Sequence, residues 1–273
     1  MEILLSILAF IFGAALGSFL LVIADRYHTG LSFWKGRSFC FSCSHKLNFL
    51  DLVPFFSFIF LRGRCRYCGF KIPGEAFVVE LLMGAFSVLA FMKSELFVSP
   101  ELTSLFLYVI YVLIFGVVIL ISIYDLRHYI IPDSFLIALL LLGFGLHFVL
   151  GFTVVYLLAG AMLCFPFAIL FVISKGRWLG FGDVKYMFVI GFLLGPAEGL
   201  SAIIFAFWIG AVLSVTLVLL PKVLPRLGLP SGGRSFTMKS EIPFGPFLSL
   251  GVILSLIFHV DLFNLKILSD FFI

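Results

Sequence analysis

The chain has 273 residues, of which 63% are hydrophobic and only 12% charged, and its formal net charge is +4. A soluble domain is closer to half apolar and a quarter charged, so this composition excludes an ordinary water-soluble fold. It indicates a multi-spanning integral membrane protein whose partner is the lipid bilayer, and nucleic acid is not among the expected partners.

The first apolar run, 3–24, is long enough to cross about 30 Å of hydrocarbon. It carries Gly13 and Gly17-Ser18, small residues that let helices approach closely. No basic segment precedes Ile3, so the run reads as a span and not as a removable signal. Residues 25–75 differ in kind, being polar, basic, turn-rich and cysteine-bearing, and read as a small extramembrane domain. Further apolar runs follow at 76–92, 102–124, 134–150, 154–174, 184–197, 199–220 and 244–262. The sixth span is short, and Gly195-Pro196 divides it from the seventh. The fold expected is all-α and polytopic, with about eight transmembrane helices. Its domains are expected at 1–24, 25–75 and 76–273. With eight spans, every Lys and Arg except Lys93 and Lys266 falls on one side. That bias places residues 25–75 in the cytoplasm and both termini outside.

Within the polar segment stand Cys40-Phe41-Ser42-Cys43 and Cys65-Arg66-Tyr67-Cys68. Two C-x-x-C pairs supply four thiolates, the set that closes a tetrahedral structural zinc site. Disulfides or redox thiols are the competing readings, and a reducing cytoplasm disfavours disulfides. So short a segment buries little core, and a metal would supply folding energy directly. Cys164 lies mid-span as packing. The basic residues around the pairs fit anchoring against anionic lipid; docking of an acidic peptide is the alternative.

Carboxylates at membrane depth are costly and mark function by default. Asp183 stands in Leu179-Gly180-Phe181-Gly182-Asp183-Val184-Lys185, at the start of the sixth span. Asp125 ends the third span in Tyr124-Asp125-Leu126-Arg127. The topology sets both acids at one depth on one face. Two neighbouring carboxylates do not both ionise readily, so one retains a proton, and the pair can act as general acid and general base on a water attacking a peptide carbonyl. The bland account makes Asp125 and Asp133 boundary residues and Asp183 a helix cap. Gly180 and Gly182, with Lys185, are read as the approach for a substrate backbone, because glycine admits contacts a Cβ would block. Glu80, near the start of the second span, either positions a substrate amine or bonds Arg or Ser partners in the bundle. Asp133, after Pro132, is read as a helix cap, and mid-span Gly143 as a site tolerant of Ala. The five histidines show no H-E-x-x-H spacing, and there is no nucleophile elbow, phosphate loop or dinucleotide fingerprint.

These motifs together resemble the type IV prepilin peptidases, which belong to the G-x-G-D intramembrane aspartyl proteases. The resemblance rests on Gly17-Ser18-Phe19-Leu20 with Arg26, Arg37-Ser38, the two cysteine pairs, Asp51-Leu52-Val53-Pro54 and Arg62-Gly63-Arg64. It continues through Asp125 with Ile131-Pro132-Asp133, Gly180 to Lys185, and Pro243-Phe244-Gly245-Pro246-Phe247. Leu21 stands where many relatives carry Asn, and Phe41 where Pro often follows the first cysteine. The resemblance implies an enzyme of the bacterial inner membrane with Asp125 and Asp183 as its catalytic pair. Such an enzyme cleaves the basic leader of type IV prepilins or pseudopilins after a glycine at the cytoplasmic face. It then methylates the new N-terminus with S-adenosylmethionine, and no motif marks residues for that second activity. A proton-coupled transporter using the two acids is the alternative, and a pilus-assembly scaffold a third reading.

Overall fold

A computed structural model of the chain describes residues 2–30, 32–33, 36, 38–40, 42–96, 101–223 (the last four as backbone only), 242–259 and 261–262. Contacts divide it into two compact units, Met1–Leu120 and Ile121–Ile273. Lys35, Arg37, Phe41, Arg226, Arg234, Lys239 and Lys266, which entered the charge argument or the resemblance, lie outside the described residues.

The first unit pairs two long helices, α1 (Glu2–Arg26) and α3 (Glu75–Lys93). The small residues of α1 are what let them meet. A Cβ on Gly13 would strike the Met83 carbonyl and the Ser87 side chain, and one on Gly17 would come within 3.0 Å of the Val79 carbonyl. In return Gly84 of α3 seats the Phe10 ring. This is the close packing expected of small residues where lipid removes any hydrophobic drive between helices. The cysteine segment between them folds into two knuckles, each closed by a single antiparallel bridge, Phe39 to Lys46 and Arg64 to Lys71. A 3-10 turn (Phe49–Asp51) and the five-residue helix α2 (Phe56–Phe60) separate the knuckles. Helix α4 (Leu102–His128) starts in this unit, where Phe115 stacks on Phe86 at 5.0 Å and the Tyr108 hydroxyl meets Ser87 Oγ at 2.9 Å.

The second unit holds the end of α4 with α5 (Asp133–Leu150), α6 (Val154–Ser174), α7 (Phe181–Val223) and α8 (Gly245–Phe258). Helix α7 is two helices. At Gly195 the backbone takes φ 81°, and a Cβ on Gly199 would lie 3.2 Å from the Gly191 Cα. Eight residues of straight helix would separate those positions by about 12 Å, so the chain turns back on itself at Gly195-Pro196. Proline has no N–H for the Phe192 carbonyl four residues earlier. His147 Nε2 donates to that carbonyl instead, at 2.9 Å, while its ring stacks on Tyr156. Gly191 packs backbone to backbone on Ala159 and Gly160 of α6, and the buried Tyr186 hydroxyl meets Ser249 Oγ of α8 at 3.0 Å.

Six helices among the described residues are long and apolar enough to cross a membrane, and α8 is a shorter apolar helix. Counting the two arms of α7 separately gives eight apolar segments, at the places the sequence indicated. Gly143 departs from expectation. A Cβ there would approach the Phe192 ring to 3.0 Å, so it is a packing glycine and not a tolerant one.

Candidate active site and cysteine cluster

Asp125 sits three residues before the end of α4 and is buried, 4% exposed. Its Oδ2 accepts the backbone N–H of Gly245, the first residue of α8, at 2.9 Å. A helix N-terminus presents unsatisfied N–H groups and the positive end of the helix dipole, so it favours a carboxylate there. Only glycine fits this contact, because a Cβ on Gly245 would lie 2.6 Å from Asp125 Oδ2.

Asp183 occupies the first turn of α7, and its Oδ2 accepts the N–H of Gly180 at 3.3 Å. This is the backward half of a capping box, in which a side chain reaches the amide just outside the helix. The charge of Asp125 bears on Asp183, so the end of α4 and the start of α7 bring the two acids within electrostatic reach. They come from separate helices, and each is held by a backbone amide at a helix start.

The neighbouring motif residues lock the two helix ends together. A Cβ on Gly182 would come within 3.2 Å of Ile131 Cβ, so this glycine lets the start of α7 lie against the Ile131-Pro132-Asp133 turn. Lys185 forms an ion pair with Asp133 and lies 4.9 Å from the Phe181 ring. Asp133 stands in the first turn of α5 with its carboxylate committed to Lys185, and Pro132 holds the cap position that Asp133 was expected to fill. Glu80 accepts the Phe55 N–H at 2.8 Å and bonds Ser18, which favours its reading as a partner within the bundle. Gly245 is the site residue that sequence reasoning passed over. Its signal was the Pro243 to Phe247 motif, but a backbone donor leaves no trace in residue identity.

In the first unit, Cys40, Cys43, Cys65 and Cys68 converge, with every Sγ within 4.8 Å of the others. The Cys40 and Cys68 sulfurs are 3.9 Å apart. Zn–S bonds of about 2.3 Å at tetrahedral angles put sulfurs about 3.8 Å apart, so the cluster is compatible with a structural zinc ion. A turn closes each knuckle: the Ser44 N–H donates to the Cys40 carbonyl, and the Gly69 N–H to that of Cys65. The backbone N–H groups of Cys43 and Ser42 bring the Cys40 thiol down to about 7. At Cys43 the His45 amide also favours the thiolate, but lost hydration and the neighbouring thiols outweigh it and push that thiol up to about 11. A cation at the centre would favour the thiolate form of all four. A polar network braces the cluster. Asp51 Oδ1 pairs with Arg66 Nε at 2.6 Å, and Oδ2 accepts the Asn48 N–H at 3.0 Å and the Tyr67 hydroxyl at 3.1 Å. Burial alone would raise the Asp51 carboxyl, but these donors hold it below the ordinary carboxylate range.

Residues 11–94 match the bacterial peptidase A24 N-terminal domain, and residues 112–215 match the type IV leader peptidase family. A prepilin leader peptidase/N-methyltransferase of Bacillus subtilis (strain 168) is 30% identical over 261 residues, covering 93% of this chain and 94% of that protein. The chain belongs to the type IV leader peptidase family. Other prepilin leader peptidase/N-methyltransferases match as well. That of Aeromonas salmonicida (strain A449) is 27% identical over 220 residues, 78% of this chain and 68% of its own length. That of Myxococcus xanthus is 28% identical over 226 residues, 79% of this chain and 64% of its own. No solved structure matches with significance. Membership of the leader peptidase family leaves the proton-coupled transporter without support.

Proposed function

We propose that this chain is an intramembrane aspartyl endopeptidase that removes the leader of type IV prepilins or pseudopilins and then N-methylates the new N-terminus. The observation that carries the reading is the pair of carboxylates from separate helices, each accepting a backbone amide, Gly245 for Asp125 and Gly180 for Asp183. The pair shares one proton. Its ionised member takes a proton from a water as that water attacks the scissile carbonyl, and its protonated member gives one to the carbonyl oxygen. The tetrahedral adduct then collapses, the C–N bond breaks, and the amine leaves with a proton from the dyad. The amides at the two helix starts need no reorganisation as charge moves, which is the economy of a preorganised site. Gly180 and Gly182 keep side chains away from the acids on this reading, and Lys185 holds the α7 start against Asp133 beside the substrate's approach.

Cys40, Cys43, Cys65 and Cys68 would hold one structural zinc ion, which supplies folding energy to a segment with little core. S-adenosylmethionine is the methyl donor implied by the second activity. The membrane is the bacterial inner membrane, with the acids and the cysteine segment on its cytoplasmic side, as the distribution of Lys and Arg supports. The test is purified protein incubated with a prepilin and S-adenosylmethionine, the products being weighed by mass spectrometry. The expected result is a mature pilin shortened by its leader and heavier by one methyl. An uncut prepilin overturns the peptidase assignment, and a cut but unmethylated one overturns the second activity.

A further inference from the structure

Residues 49–61 read Phe-Leu-Asp-Leu-Val-Pro-Phe-Phe-Ser-Phe-Ile-Phe-Leu, an apolar run between the two cysteine knuckles. It is too short to span, and apolar stretches of this length are typically core helices or interfacial and re-entrant segments. It is not a core helix, since Phe49, Leu50, Phe56, Ile59 and Phe60 are all exposed, Phe49 and Phe60 by about four-fifths of their surface.

The polarity of the stretch is the reverse of a water-facing surface. Its one ionisable side chain, Asp51, is 4% exposed and turned back onto Arg66, while Phe49, Leu50, Phe56, Ile59 and Phe60 point outward. Its attachment sets its depth. Phe55 stacks on Phe77 at 5.1 Å and meets the Phe10 ring of α1 edge-on at 6.3 Å. Its N–H goes to Glu80, the sixth residue of α3, which at 1.5 Å per residue lies about 8 Å along that helix. Interfacial segments bury their apolar faces by about 5–10 Å. Phe55 has φ 64°, outside any helix, and non-helical backbone at such depth persists only where its polar groups are met within the protein. Glu80 accepts the Phe55 N–H of that turn, which gives a carboxylate inside a span a partner.

We propose that residues 49–61 form an interfacial elbow set into the bilayer that the chain itself spans, with Phe49, Leu50, Phe56, Ile59 and Phe60 in contact with lipid. The exposed Ile7, Leu8, Ile11 and Phe12 of α1 and Val78, Leu81 and Leu82 of α3 extend the same apolar character along the helices it packs on. Exposed Arg62, Arg64 and Lys71 fringe it with positive charge, matching anionic headgroups. The cysteine segment is thereby seated on the membrane through its middle as well as tethered at its two ends.

The test places the photo-reactive analogue p-benzoyl-phenylalanine at position 49, 60 or, for comparison, 46. Each full-length variant is reconstituted in vesicles of phosphatidylethanolamine and phosphatidylglycerol, illuminated, and analysed for lipid adducts by mass spectrometry. The proposal expects adducts at 49 and 60 at least about fivefold above those at 46. Equal yields at the three positions overturn it. Loss of the lipid adducts at 49 and 60 in favour of an added prepilin also overturns it, assigning the surface to substrate. As a measurement independent of the probe, brominated lipid should quench the fluorescence that Phe60→Trp adds over the parent, and an unquenched increment overturns the elbow.

Discussion

The acid pair of the second unit and the cysteine cluster of the first secure their polar groups by different means. In the second, Asp125 and Asp183 each accept a main-chain amide at a helix start, and the surroundings are packed helices. In the first, the cysteine knuckles lean on side chains, with Asp51 taking Arg66 and Tyr67 beside the Asn48 amide while four thiols converge on one centre. A site inside a bundle can borrow rigidity from helices that are stable for other reasons. A short segment between helices must make its own, and a metal with a side-chain network is the cheapest source. The two should therefore fail separately when altered.

The largest effect should come from Asp125→Asn or Asp183→Asn. An amide neither takes nor gives the proton, and such groups are typically worth about 10²–10⁴-fold in rate. Leader cleavage should fall by at least about a hundredfold with metal content unchanged, and a near-parental rate would remove the pair from the mechanism. Gly245→Ala comes next, because its new methyl would press on Asp125 Oδ2. Cleavage is expected to drop by about tenfold or more while the cysteine segment keeps its protease resistance; equal rates at equal protein level would deny the amide contact any role. On the other side of the contrast, Cys40→Ser or Cys65→Ser should lose bound zinc and open the 42–74 region to trypsin, because three ligands do not close the site. Cysteines recovered as disulfides without metal, after thiols are blocked at lysis, would count decisively against zinc.

A smaller effect separates Asp51 from the thiols. Its folded pKa is depressed, so the stability it contributes is present above the unfolded carboxylate value near 3.9 and is lost as pH falls through the lower folded one. Pepsin should therefore cut the cysteine segment faster as pH falls below about 4, and Asp51→Asn should flatten that dependence. An unchanged profile in the variant would assign the acid sensitivity elsewhere. The smallest effect belongs to Gly74→Ala. Gly74 has φ −68° and no neighbour to a new Cβ within 4 Å, so it is the neutral control that Gly143 is not. Stability should move by less than about 0.5 kcal/mol, and a larger loss in thermal unfolding would mean that space is filled in the membrane.

What could be read in the sequence divides along the same physical line. Helix positions were legible because lipid demands long apolar runs, and the reversal at Gly195-Pro196 because proline and glycine punctuate them. Asp125 and Asp183 were legible because an acid at a span end is costly. Gly245 was not, since its contribution is an N–H that every residue but proline possesses. Glu80 stood out, but its partner is the amide of an irregular turn. Residues 49–61 were hidden by their neighbours: flanked by cysteines and arginines, a run this short is averaged into a polar segment. Lys185 was assigned toward substrate because nothing in the chain announces that Asp133 will be beside it.

The reversal within α7 also bears on how water reaches the acids. The arm from residue 181 to 194 rises about 21 Å at 1.5 Å per residue, against a hydrocarbon core of about 30 Å. With the turn at Gly195 level with the far boundary, the start of this arm stops about 9 Å short of the near one. A span too short for its bilayer is met by local thinning, which would bring water down to Asp183. The proposed hydrolysis would then draw its co-substrate through that dip and not through a channel.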